Sequence, residues 1–135
     1  CFVMKNLVKV NRALESDAVT RAIAKGYEYY RRELFDAESL PKSFTIQPRT
    51  QLVKLEMYNF AEAITLGALL RDAVPAAFTH ARELAAWLIA NHQLADGHFT
   101  TRVYRGGWRH THPFVRWPQS QIFYALTNLL RAESE

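Results

Sequence analysis

The amino-acid sequence predicts an all-α fold of antiparallel helical hairpins, with about five helices in one domain covering residues 1–135. Three observations lead there. Apolar residues recur at helical spacing in most segments, and strand-like alternation is nearly absent. The segments also echo one another at a spacing of about 60 residues, as stacked hairpins do. A chain of 135 residues, 49% apolar and 22% charged, is long enough for one modest core and too apolar to stay disordered.

The elements follow in order. "VMKNLVKVNRAL" sets Val3, Leu7, Val10 and Leu14 at helical spacing, with basic residues between them. Ser16 or Asp17 then caps a second helix, whose face carries Val19, Ile23, Tyr27, Tyr30 and Leu34 and which ends near Phe35. "DAESLPKSFTIQPRTQ", with two prolines and no alternation, reads as a loop. A third helix from about Leu55 to Leu70 is apolar almost all round, as a buried helix must be. Pro75 suits the first turn of a fourth, whose stripe is Ala77, Ala81, Leu84, Leu88 and Ile89 and which "DG" at 96–97 ends. The fifth helix spans Gln119–Arg131 through Ile122, Phe123, Leu126, Leu129 and Leu130. The one strand-like feature is a short pair around 99–105.

The echo has two parts. "YYRRELFDAESLPKSF" and "LIANHQLADGHF" both run from an apolar helix end through an aspartate turn to a phenylalanine. "YNFAEAI" and "WPQSQIF" then align Tyr58 with Trp117, Glu62 with Gln121 and Ile64 with Phe123. Two and a half units of helix, turn, long loop and apolar helix are therefore present.

Charge is uneven. The formal net charge is +4, and no acidic residue occurs from Gly97 to Ala132, where arginines stand at 102, 105, 109, 116 and 131. Such a patch favours an anionic partner. The lone Cys1 excludes an internal disulfide and a CxxC metal pair, fitting a reducing, cytoplasmic setting. The run "LAAWLIA" is far too short to span a bilayer, so no membrane partner is expected.

The residues "LADGHF" at 94–99, "AEAI" at 61–64 and "RWPQSQIFYALTNLL" at 116–130 resemble the (α/α) toroid proteins. Glycosidase-like, uronate-lyase-like, sugar-epimerase-like and terpenoid-cyclase-like families share that architecture. The pattern is most similar to the C-terminal part of bacterial polysaccharide-biosynthesis proteins of the VpsJ type. The resemblance implies a partial toroid and a role in extracellular polysaccharide production. Toroids have about twelve helices, so the chain is expected to be the C-terminal portion of a longer ring. Missing N-terminal helices, or a second copy through self-association, would cover its open edge.

In toroids the loops before the inner helices line the cavity mouth, and residues 98–117 hold that place. Tyr104, Trp108, Trp117 and Tyr58 could offer aromatic faces to sugar C–H surfaces. Arg102, Arg105, Arg109 and Arg116 could hold a carboxylate in bidentate fashion, with His110, His112, Gln121 and Arg49 as further polar contacts. An acidic oligosaccharide is the expected ligand. Glu62, alone among apolar neighbours, is the candidate general acid. Glycoside hydrolysis asks for a second carboxylate, for which Asp96 and Asp36 are available, although each also reads as a helix terminator. His98 and Tyr104 are the candidates for proton transfer in epimerisation or elimination. The reading of Glu62 that involves no catalysis is a hydrogen bond to a neighbouring helix or a loop arginine such as Arg49.

His110-x-His112 could place two imidazoles on one side of an extended segment, but a zinc site needs a third protein ligand, so no metal and no cofactor are expected. Gly106 and Gly107 suit a tight turn of positive φ. The rival reading is a non-enzymatic helical-repeat module that contacts a protein or nucleic acid through residues 98–117. Nucleic acid alone is disfavoured by the charge-balanced first half and the lack of a helix–turn–helix or RRM pattern.

Overall fold

The computed structural model describes residues 1–45 and 52–134. Its elements are α1 (Phe2–Leu14), α2 (Asp17–Leu34), β1 (Val53–Glu56), α3 (Met57–Leu69), α4 (Pro75–His92), β2 (Arg102–Tyr104), β3 (Arg109–His110) and α5 (Ser120–Ser134). A π-type turn over Val115–Gln119 leads into α5. The fold is mostly helical, but not purely so. Strands β1, β2 and β3 form an antiparallel sheet in that order. Only β2 falls where the sequence suggested a short strand pair.

The apolar run at 57–70 becomes the centre of the molecule. Met57, Phe60, Ile64, Leu66 and Leu70 are all fully buried. The helix starts at Met57 rather than Leu55 because Val53–Glu56 are drawn into pairing with β2. Helix α3 packs most extensively on α4 and α5, while α1 packs on α2 and touches α3. The α3–α4 contact is close at one point. A Cβ on Gly67 would lie 2.5 Å from both the Ala77 carbonyl oxygen and the Ala81 Cβ. Phe60 of α3 stacks on Trp87 of α4 with centroids 5.2 Å apart.

Helices α1, α3 and α5 thus form one layer, with α2 and α4 behind them. The elbow from α1 to α2 is two residues long. Glu15 takes the left-handed conformation and donates its N–H to the Asn11 carbonyl, while Ser16 donates its N–H to the Asn11 side chain. Ser16 is the N-cap of α2, without a side-chain capping bond. Pro75 opens α4 as expected. That helix ends at His92, before the 96–97 turn. Two apolar stripes differ from expectation. Val3, Val10 and Leu14 of α1 face solvent, as do Phe123 and Leu130 of α5. Helix α1 meets α2 and α3, and α5 meets α3 and α4; these side chains lie outside those contacts.

The repeat is visible in the backbone. Helices α2 and α4 are both 18 residues long. Both lead into a turn closed by an isolated antiparallel bridge, Phe35 with Pro41 and Gln93 with Phe99. Lys42 donates its N–H to the Leu34 carbonyl and Thr100 to that of His92, both at 2.8 Å. Ser39 and Gly97 hold the same place with φ of 62° and 92°. Phe99 therefore matches Pro41 and not Phe44, which is exposed.

Candidate functional site

Beyond the second turn the connector is built from the inside out. Thr100 and Thr101 are buried, and Thr101 fixes the strand that follows. Its N–H bonds the His110 carbonyl and its hydroxyl bonds the His112 carbonyl at 2.9 Å. Strand β2 then turns back through Gly106 and Gly107, at φ of 96° and 87°, as the sequence required. The inner face of this sheet buries Leu55 and Val103.

The other face carries charge. Glu56, Arg102 and His110 stand in one cross-strand row. The Arg102 Nε donates to Glu56 Oε2 at 2.6 Å, and this bond raises the arginine's pKa further. Glu56 Oε1 and His110 Nδ1 are buried without a hydrogen-bond partner among the described residues. The aromatic rings form a chain. Tyr104 lies 4.7 Å from Trp108, Trp108 meets His110 edge-on at 6.0 Å, and His110 stacks on Phe114 at 5.5 Å. Trp108 is 62% exposed, so one face of this chain is open.

A second platform forms where the connector enters α5. Trp117 and Gln119 both donate their N–H groups to the Phe114 carbonyl, which folds the chain sharply. Trp117 then stacks on Tyr58 of α3, with centroids 4.2 Å apart and planes within 19°, and remains 48% exposed. Tyr58 stands one turn before Glu62 on α3; burial first, then the Glu62 charge, raises the phenol's pKa. Glu62 is ion-paired with Lys5 of α1 at 2.8 Å. The repeat-related aromatics Tyr58 and Trp117 thus meet face to face beside a carboxylate–ammonium pair.

Glu62 is therefore not the isolated buried carboxylate that its apolar surroundings suggested. Among the described residues its partner is Lys5 of the neighbouring helix α1, and Arg49 lies outside those residues. His98 is held at both ring nitrogens, by Asp96 at 2.6 Å and the Thr111 carbonyl at 2.8 Å. It serves the turn. The arginines do not share one direction. Arg102 pairs with Glu56, Arg109 donates to the Asn91 carbonyl of α4, and Arg116 is exposed on the turn before α5. Arg105 lines a cavity of about 490 Å³ together with Asp36, Glu38, Lys42 and Lys54. His112 is exposed and Gln121 half-buried. The rings of His110 and His112 are 6.4 Å apart. Among the described residues no three His, Cys, Asp or Glu side chains converge to hold a metal ion.

Sequence reasoning missed three residues that shape the site. Glu56 and Lys5 read as ordinary surface charges, because only the fold brings each to its partner. Gln119 binds the backbone of Phe99 at both ends, accepting its N–H at 2.9 Å and donating to its carbonyl at 2.6 Å. The expected polar residue at this helix start, Gln121, makes no such clamp. No family model, curated protein or solved structure matches the chain. No described helix is long and apolar enough to cross a membrane.

Proposed function

We propose that the chain is a carbohydrate-handling component of polysaccharide biosynthesis that binds an acidic sugar across the connector surface. The fold around it would be a partial (α/α) toroid. One observation carries the reading: the half-exposed Trp117 stacked on Tyr58 next to the Glu62–Lys5 pair. An indole backed by a second ring gives a rigid apolar face for sugar C–H groups. Trp108 offers a second open ring on the hairpin. Between the strands, Arg102 supplies a half-exposed guanidinium. The ion pairing of Glu62 favours a binding role for this surface over glycoside hydrolysis, which asks for a free acid and a second carboxylate across a cleft.

Calorimetric titration with a uronic-acid oligosaccharide and its neutral counterpart tests this. The acidic sugar should bind more tightly, and Trp117→Ala should weaken binding about tenfold, the loss expected for one stacked ring. Arg102→Ala should reduce the preference for acid. Affinity should change little with salt, whereas phosphate-driven nucleic-acid binding would fall steeply. Unchanged affinity in both Trp117→Ala and Trp108→Ala would sink the proposal.

A further inference from the structure

A second concave surface lies away from the connector. Helix α2 packs chiefly on α1, and α4 on α3 and α5, and between α2 and α4 runs a groove of about 830 Å³. Small-molecule sites fall between about 300 and 1,000 Å³. Tyr27, Val74 and Ala76 give the groove apolar surface, while Glu28, Arg31, His80 and Glu83 bring charge and hydrogen-bonding groups. Arg32 also borders it but is paired with Glu33 at 2.7 Å.

Arg31 is held without being neutralised. Its Nη1 donates to His80 Nε2 at 2.7 Å and its Nη2 to the Ser39 hydroxyl at 3.4 Å, and its guanidinium lies 4.6 Å from the centre of the Phe35 ring. A guanidinium cannot accept a hydrogen bond. The imidazole must therefore accept, which leaves it neutral with its proton on Nδ1. All of these partners are uncharged. Among the described residues neither Glu28 nor Glu83 is ion-paired with Arg31. Both nevertheless stand near. Glu28 is one turn before Arg31 on α2 and Glu83 one turn after His80 on α4, about 5 Å along each helix. Burial raises the Tyr27 phenol's pKa, with the Arg31 charge opposing and the Glu83 charge adding, so both charges act on one hydroxyl. Burial first, then Arg31, lowers that of His80. Perturbed groups that face one cavity, with apolar walls beside them, mark a binding site.

We propose that the groove between α2 and α4 binds a free α-amino acid with a large apolar side chain. The ligand carboxylate supplies the anion that Arg31 lacks, in the bidentate geometry a guanidinium favours. The ammonium is taken by Glu28 and Glu83, and the side chain lies on Tyr27, Val74 and Ala76. A ligand with only a carboxylate would meet repulsion from the two glutamates, and one with only an amine would leave Arg31 unneutralised. An α-amino acid carries both charges on one carbon, which suits acidic and basic groups one helical turn apart. This site is independent of the sugar reading, since it shares no residue with the connector or with the Trp117–Tyr58 stack.

An NMR titration of the whole chain with L-phenylalanine tests it. The Thr79, His80 and Glu83 amide signals should move along one saturation curve. Phenylalaninamide, which lacks the carboxylate, and 3-phenylpropanoate, which lacks the ammonium, should each bind about tenfold more weakly. Arg31→Gln should abolish binding. The comparison of the three ligands on the parent chain stands even if that variant folds poorly. Glu28→Gln with Glu83→Gln changes two exposed side chains, so its melting should match the parent, and it should lose the preference for L-phenylalanine over 3-phenylpropanoate. The absence of a saturable shift with L-phenylalanine would overturn the proposal. So would equal binding of the three ligands, or shifts gathered at Trp108 and Trp117 instead of the groove.

Discussion

The turn after α2 and the turn after α4 share a backbone but solve one problem differently. In the first, the bridge residue is Pro41, which has no N–H to satisfy. In the second it is Phe99, buried and carrying an N–H that needs an acceptor. Gln119 supplies that acceptor and binds the Phe99 carbonyl as well, tying the turn to the start of α5. The second turn is thereby coupled to the segment that carries Trp117. A repeat can thus keep its hydrogen-bond frame while one unit gains the polar contacts that position a surface.

The two hairpins also differ in how closely their helices approach, and there the largest effect is expected. A Cβ on Gly26 of α2 would meet only the Met4 side chain, at 3.2 Å, whereas one on Gly67 would strike the Ala77 backbone. Gly67→Leu should cost about 3 kcal/mol or more through overpacking, and Gly26→Ala should be tolerated. Urea denaturation of the two variants checks this, and equal losses would remove the distinction.

His92 takes the place that Leu34 holds in the first turn. It is buried beside Trp87, and burial, with a smaller contribution from Arg109, lowers its pKa to about 4. A histidine held neutral by the fold contributes stability that is complete above its unfolded value of about 6.5 and is lost as pH falls toward 4. The loss should reach about 2–3 kcal/mol across that window. His92→Leu, which copies the first turn, should flatten this part of the profile. His80, whose pKa is also lowered by burial and Arg31, titrates in the same direction, so the difference between parent and variant isolates His92. A profile unchanged by the substitution would refute the assignment.

Gln119→Ala should cost about 2 kcal/mol, since it leaves the Phe99 N–H buried without an acceptor. Denaturant midpoints measure it, and a neutral result would mean that the clamp does not hold the turn. The smallest effect concerns Ser39, which adopts φ of 62° where the second turn has Gly97. Ser39→Gly should stabilise by about 0.5 kcal/mol by relieving left-handed strain. A lower melting temperature would contradict it.

The helices were legible because their periodicity is local. Pro75 and the all-apolar run at 57–70 mark positions that any arrangement of the chain must respect. The sheet was not, since strands of two to four residues show no alternation of their own and β1 meets β2 across some 50 positions. The site was legible in part. Trp117, Tyr58 and Glu62 were picked out by type and repeat position, and they do come together. Their link to Lys5 was not, because a lysine on a short amphipathic helix looks the same whether it faces water or a carboxylate. The exposure of the stripe on α1 was not legible for a related reason. Spacing identifies a face, but which neighbour covers it is a property of the assembled layer.

The connector and α3 meet through the Trp117–Tyr58 stack beside the Glu62–Lys5 pair. An NMR titration of the whole chain with a uronic-acid oligosaccharide tests this most directly. The Trp117 indole, the Tyr58 ring and the Glu62 and Lys5 side-chain signals should shift together along one saturation curve. Shifts confined to Trp108 and the hairpin, or none at all, would contradict it.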